Sequence, residues 1–336
     1  MAIYKFFVEK DNFLSSQYPS FNYGRDEILD ISNDSLSSNR AILYFNQGEL
    51  LNTINVLNIT SSSSILKLYL ANASNIPLDY NIEIYPLSQS WSMGTGRSGD
   101  EPNPFNGSCW NDNGIDTSSL WNGGNYITSS LVTQSFSYDD NKDINVDISS
   151  IVNSWVSGDI NNNGIIIKHT DEIESSSIYI SSRYFSIDTH TVYPPHIELV
   201  WDDIQYSSSL PQISSSFIST IINNKAKFKE SSIYTFRIKS RDEYPTRMFQ
   251  TGSIYLNNKV LPEESYWSLK DVKTNETVID FHNIGTKVGA DNNGNYFNMY
   301  MNGLQPERYY QILIKTIINN NTIIIDNKSN YFKIVR

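Results

Sequence analysis

Between turn clusters rich in Ser, Asn, Asp and Gly, the chain alternates apolar and polar residues. Ile65-Leu66-Lys67-Leu68-Tyr69-Leu70, Ile82-Glu83-Ile84-Tyr85 and Ile197-Glu198-Leu199-Val200-Trp201 repeat at or near period two. That spacing predicts strands with one buried face. One stretch breaks the pattern: from Ile148 to Val156 the apolar residues recur three and four apart. It predicts a short amphipathic helix, with Asp147 as its N-cap and Gly158 as its stop. From Pro86 to Tyr126 alternation gives way to Gly, Asn, Pro and Asp, which predicts a surface loop long enough to suggest a function of its own. A Ser-rich stretch from Ile204 to Ser216, around Pro211, separates two strand-rich halves and places a domain boundary there, giving domains 1–204 and 205–336.

At 336 residues the chain can bury two cores. Scarce Ala with plentiful Asn, Ser, Ile, Tyr and Phe favours strands and turns, so the expected class is all-β. The formal net charge of −11, with no Lys/Arg-rich stripe along the sequence, argues against nucleic acid and against an anionic membrane as partners. A single cysteine, Cys109, excludes an intrachain disulfide framework and a multi-cysteine zinc site. The start, Met1 to Lys10, carries charge where a secretion signal would be apolar, and no apolar run reaches membrane-spanning length. A soluble protein made in a reducing cytosol is expected. Asn-x-Ser/Thr triplets such as Asn58-Ile59-Thr60 and Asn275-Glu276-Thr277 are expected by chance in a chain so rich in Asn and Ser.

Candidate chemistry is sparse. Gly94-Thr95-Gly96-Arg97-Ser98-Gly99 has the spacing of a phosphate-binding loop, but Asp100, Glu101, Pro102 and Pro104 stand where the helix should start. A flexible turn is expected instead. Asp159, Asn161 and Asn163 match the first half of a calcium loop whose twelfth position is Thr170 rather than Glu. They define at most a weak structural Ca²⁺ site, and otherwise a polar turn; no other cofactor is expected. His169, His190, His196 and His282 have no metal-ligand spacing, and no G-x-S-x-G elbow exists. Acid pairs such as Asp139-Asp140 and Asp202-Asp203 sit at turns as solvated caps, so the chain is read as non-enzymatic. Within the long loop, Trp110, Trp121 and Tyr126 either present aromatic faces to a partner or a glycan, or fold inward and anchor the loop.

Several blocks in order resemble the DNRLRE family, a jelly-roll-like module akin to carbohydrate-binding modules. They are Phe21-Asn22-Tyr23-Gly24 before Ile28, Arg40-Ala41-Ile42-Leu43-Tyr44-Phe45, Leu66 to Leu70, Tyr85 to Trp91, Ile144 to Trp155, Gly164 to Ile167, Ser181-Ser182-Arg183 and Pro194 to Leu199. The resemblance spans roughly residues 10–203 and departs at Tyr184, where the family carries an acid. It implies a jelly-roll-like sandwich, a structural place for Arg40, and internal packing for Trp91 and Trp155. Leu304-Gln305-Pro306-Glu307-Arg308-Tyr309-Tyr310 resembles the corner of fibronectin type III and related immunoglobulin-like sandwiches. That likeness implies that the Tyr310 hydroxyl bonds back to the backbone near Leu304.

Arg241 to Pro245, Tyr266 to Asp271, Tyr296-Phe297, Arg308-Tyr309-Tyr310 and the loop from Trp91 to Trp110 resemble repeat-free structural proteins of tailed phages. This implies a virion component of the neck, tail or capsid exterior, assembled in the host cytoplasm. It would be held by other virion proteins, as a homo-oligomeric ring or as repeated copies. The rival expectation is a carbohydrate-binding adhesion module for host attachment. A third and weaker one is an accessory domain of a glycoside hydrolase.

Overall fold

The computed structural model describes the whole chain except residues 1, 60, 61, 78, 105, 116–120, 246–257, 328 and 329. Thr60 of the Asn58 triplet, and six positions of the long loop, therefore lie outside the described residues. With 43% of residues in strands and 8% in helices the protein is all-β. Among the described residues no helix is long and apolar enough to cross a membrane.

The chain forms two compact units, Lys5–Leu199 and Val200–Arg336, the latter together with Met1–Tyr4. Twelve strands form the N-terminal sandwich: β1 (Ala2–Phe7), β2 (Lys10–Ser15), β3 (Ile28–Asn33), β4 (Ser38–Tyr44), β5 (Ser63–Leu68), β6 (Leu70–Ser74), β7 (Tyr80–Pro86), β8 (Val132–Phe136), β9 (Ile144–Asp147), β10 (Ile165–His169), β11 (Ile180–Phe185) and β12 (His196–Trp201). One sheet has the order β1-β12-β5-β9. The other has eight strands, β6-β11-β3-β4-β10-β7-β8, with β2 also pairing with β4. Strict alternation builds these strands: β3 and β5 each bury every second residue. The continuously buried β10, Ile165–His169, is covered on both sides.

The expected helix forms over Ser149–Ser157 and ends at Gly158 in the left-handed conformation. Its cap differs from expectation. Ile148 occupies the N-cap, and the Asp147 carboxylate accepts the Ser149 N–H at 2.8 Å from one residue earlier. Trp155 projects from this helix into the core and is 1% exposed. Two further helices, Gln47–Val56 and Asp171–Glu174, are capped by Asn46 and Thr170.

The second unit has the strand order of an immunoglobulin-like sandwich. Its strands are β13 (Phe217–Ile221), β14 (Lys227–Lys229), β15 (Ile233–Asp242), β16 (Ser265–Asp271), β17 (Thr277–Ile279), β18 (Gly289–Asp291), β19 (Gly294–Tyr300), β20 (Tyr309–Ile318), β21 (Asn321–Ile325) and β22 (Tyr331–Val335). The sheet β13-β15-β19-β18 corresponds to the four-stranded layer of that fold, and β16, β20 and β22 to its three-stranded layer. β17 extends that layer on one side and β14, parallel to β22, on the other. Between the layers Trp267 stacks on Phe297 at 5.2 Å, and Phe297 on Phe236 at 5.3 Å. The Ser-rich stretch around Pro211 is bonded into this unit: Ser207 N–H donates to Ala290 O at 2.9 Å and Val260 N–H to Pro211 O at 3.0 Å.

At the start of β20 the buried Tyr310 hydroxyl accepts the Gln305 N–H at 2.8 Å and donates to Gln305 O at 3.3 Å. Tyr309, its neighbour, points outward and is 49% exposed. Tyr310→Phe should therefore lower the unfolding free energy of the second unit by ~1–1.5 kcal/mol, with Tyr309→Phe lowering it less. Equal losses in urea titrations would remove the corner's energetic role.

In β2 the side chain of Asp11 is 1% exposed. Burial pushes its carboxyl up to about 7, against an opposing bond from the Ile187 N–H at 2.7 Å. The folded state therefore keeps a proton that the unfolded chain releases near pH 4. Stability should fall as pH rises from 4 to 7, by ~2–4 kcal/mol in total. Asp11→Asn should flatten that part of the curve in thermal melts, and an unchanged slope would exclude Asp11 as its source.

Candidate functional site

The outward face of the eight-stranded sheet carries apolar side chains as well as polar ones. Leu14 of β2, Ile42 of β4, Ile166 of β10 and Tyr85 of β7, with Leu87 just beyond β7, form one buried cluster on it. The long loop supplies the cover. Trp91 and Trp121 complete the cluster, and Met93, Trp110 and Tyr126 pack against it. Trp121, expected as a candidate for partner or glycan contact, is fully buried and belongs to the core. Trp110 and Tyr126 are half-buried. Tyr126 stacks on Tyr85 at 4.5 Å, and Trp110 lies under the Arg40 guanidinium at 4.8 Å.

A buried asparagine holds the loop's first half. The Asn22 side chain donates to Met93 O at 2.7 Å and to Ser108 O at 2.8 Å, and accepts the Gly96 N–H at 2.8 Å. Its backbone exchanges two bonds with the Asn103 side chain, at 2.8 and 2.9 Å. Asn12 of β2 donates to Ser108 O at 2.8 Å and to Ser108 Oγ at 2.9 Å. The glycines at 94 and 96 follow from this crowding: a Cβ on Gly94 would lie 2.4 Å from Asn22 Oδ1, and one on Gly96 2.3 Å from Asn22 O. Within the run expected as a flexible turn, Gly94 and Gly96 are thus pinned against Asn22, a constraint that local spacing could not reveal, while Thr95, Arg97, Ser98 and Gly99 stay exposed.

Arg40 closes the other half. It grips Glu174 through two bonds, Nε to Oε1 at 2.9 Å and Nη2 to Oε2 at 2.6 Å, and donates Nη1 to Gly123 O at 3.0 Å. Beside it the fully buried Lys168 lies 2.6 Å from Asp171 and 3.5 Å from both Glu83 and Glu174. Burial alone would depress the Lys168 ammonium, but Glu174 and Asp171 outweigh it and hold the group above the usual lysine value. Burial, with Glu83 beside it, pushes the Tyr85 hydroxyl up. Each charge here is spent on another, so the cluster works as a staple between helix, sheet and loop.

The other expected positions have structural partners. Trp91 is 1% exposed, and its indole N–H donates to Asn163 O at 3.0 Å. The Asp159 carboxylate accepts the Ser157 hydroxyl at 2.7 Å, Asn161 O accepts the Asn163 N–H at 3.0 Å, and the Asn163 side chain donates to Leu87 O at 3.4 Å. The intervening Asn162 docks this turn on Phe45 O at 2.9 Å. Among the described residues no group of three His, Cys, Asp or Glu side chains is placed to hold a metal ion. One surface feature was not foreseen. The pinned glycine run delivers Arg97 and Ser98 to a cleft of about 390 Å³, shared with Phe13, Arg25, Asp26, Glu27, Ile28, Asp30 and Arg183. Ser98 N–H donates to Asp26 at 2.9 Å, and Arg25 N–H to Gly96 O at 3.0 Å, which fixes that wall.

Because Trp121 fills the core while Trp110 only covers it, Trp121→Ala should destabilise the first unit by ~3–5 kcal/mol and Trp110→Ala by less than about half of that. Urea titration followed by near-ultraviolet circular dichroism separates the two, and a larger loss for Trp110→Ala would reverse their assignments. No protein-family model and no curated protein matches this chain.

Proposed function

We propose that this chain is a structural component of a tailed-phage virion, at the neck, tail or capsid exterior, working through protein–protein contacts in a symmetric assembly. The observation that carries the reading is how the first unit uses its chemistry. Arg40, Lys168, Glu83, Asp171 and Glu174, together with the loop's tryptophans, are committed to locking a long loop onto a sheet. The described part of that loop, held by its own domain, presents a fixed surface, which suits a subunit that must dock in one geometry. The phage assignment is supported by the sequence resemblance of Arg241 to Pro245, Tyr266 to Asp271 and the Trp91 to Trp110 segment.

A carbohydrate-binding adhesion module is the second reading, and the cleft at Arg97 and Arg183 favours it. Its arginines and carboxylates offer both donors and acceptors to a polyhydroxylated ligand. The two readings separate in one experiment on purified particles. A virion subunit should be found by quantitative mass spectrometry at a fixed copy number that is a multiple of a particle symmetry. Its loss should block assembly. If Arg97→Ala with Arg183→Ala leaves assembly intact but lowers host adsorption more than tenfold, the adhesion reading replaces the structural one. Absence of the chain from purified particles would overturn both.

A further inference from the structure

The ion pairs of the first unit leave most of its acids unmatched. Residues 5–199 contain 23 Asp and Glu against 9 Lys and Arg, a net charge of −14, whereas residues 200–336 contain 13 against 16, a net of +3. The overall −11 hides this division. In the second unit, register gathers lysines that are scattered in sequence onto one sheet face. Lys227 lies opposite Lys333, Lys333 opposite Tyr309, Gln311 opposite both Tyr331 and Lys270, and Lys315 opposite both Tyr266 and Ile324. Side chains directly opposite share a face, and so do alternate residues of one strand. The outward row of β20 is therefore Tyr309, Gln311, Leu313, Lys315 and Ile317, and Lys229 joins Lys227 on β14.

This face is apolar and basic at once. Lys227 and Lys229 are exposed. Tyr309, Tyr331 and Ile324 are 49%, 48% and 55% exposed. Lys315 rides over the rings of Tyr266 and Phe281 at 5.0 and 4.8 Å. Acids lie beside it too: Glu307 paired with Lys333, Asp326 bonded to Gln311, and Glu263 paired with Lys287, which bridges to Tyr266. β20 thus reads as a strand apolar on both faces, the pattern of a sheet covered on both sides. The six strands of this sheet hold 33 residues, which at ~4.8 Å between strands and ~3.3 Å per residue give a face on the order of 500 Å², about what one partner contributes to a weak, reversible interface.

We infer that this face docks on the acidic first unit of a second copy of the chain, in a head-to-tail contact. The inference rests on the assembly reading above and names the partner. Charge selects the arrangement. A face-to-face pair of copies would set Lys227, Lys229 and Lys315 against themselves, whereas a head-to-tail contact sets them against a surface of net −14 supplied at equal copy number. Repeated head-to-tail contacts close into a ring or continue as a filament.

The test compares the full chain with its K227E/K229E/K315E variant by sedimentation velocity at ~100 μM. Zero-length carbodiimide coupling between isotopically labelled and unlabelled copies then maps the contact. At ~50 mM salt the wild-type chain should self-associate, weakening more than tenfold at ~0.5 M salt. The variant, with an unchanged circular dichroism spectrum and melting temperature, should stay monomeric. Intermolecular links should join Lys227, Lys229 or Lys315 of one copy to carboxylates within residues 5–199 of the other. A monomeric wild-type chain, equal association of both proteins, or links confined to residues 200–336 of both copies would overturn the inference. So would capture of a fluorescent oligothymidylate by the wild-type chain alone without self-association, since the face would then serve nucleic acid. Particles that contain the chain but bring no two copies into contact would sink this inference and leave the virion reading standing. A self-associating chain absent from particles would do the reverse.

Discussion

An eight-stranded sheet with apolar side chains on both of its faces cannot leave either face to water, and this constraint organises the first unit. The inward face has the second sheet of the sandwich. The outward face, with Leu14, Ile42, Tyr85, Leu87 and Ile166, is closed by the chain's own loop through Trp91 and Trp121. Covering a sheet with irregular backbone leaves many peptide groups needing partners. The buried asparagines meet that need: Asn12, Asn22 and Asn103 each bond backbone or side-chain groups of the segments they join. Hydrophobic cover and polar satisfaction are one design, because the tryptophans can seat only if the backbone carrying them is bonded.

The same reasoning explains what could be read from residues alone. Strands were legible because burial at every second position is written locally, as in β3 and β5. The Tyr310 corner was legible too, since its partner, Gln305, is five residues away. The helix at Gln47–Val56 was not, although Asn46 and Glu49 form an N-cap pair. Gly48, Asn52 and Thr53 are weak helix formers, and its buried face is narrow, with only Leu50 and Thr53 fully inside. The fate of the loop aromatics was the hardest to read. Trp110 and Trp121 stand in the same composition, yet one half-covers Arg40 and the other fills the core. What separates them is the position of β2, β4 and β10, whose Leu14, Ile42 and Ile166 lie 45–107 positions away in the chain.

Arg40 shows how a single residue can be read correctly in kind and still be under-described. Its place in a strand block marked it as structural. Its partners, Glu174 on a four-residue helix and Gly123 in the loop, lie 134 and 83 residues away. With Lys168 it balances the largely buried Glu83 and Glu174, while Asp171 closes the group from the solvent side. Such a cluster adds little net stability over well-packed apolar residues, but removing Arg40, Lys168 or Glu174 alone would leave a buried charge without its partner. Its contribution is uniqueness of the loop position.

The asparagine clasp also sets an order of events. Asn22 reaches segments 71 to 86 residues further on, and Asn12 reaches one 96 residues away. Contacts of that sequence separation form slowly, because the entropy of closing the intervening chain is lost before any bond compensates for it. The loop's full seat is built from β2, β4, β7 and β10 and exists only once they have paired, so seating the loop last would leave the outer face of the large sheet bare for a time. Such a transient would expose apolar surface that the finished sandwich hides, and crowding with identical copies during synthesis would favour aggregation from it.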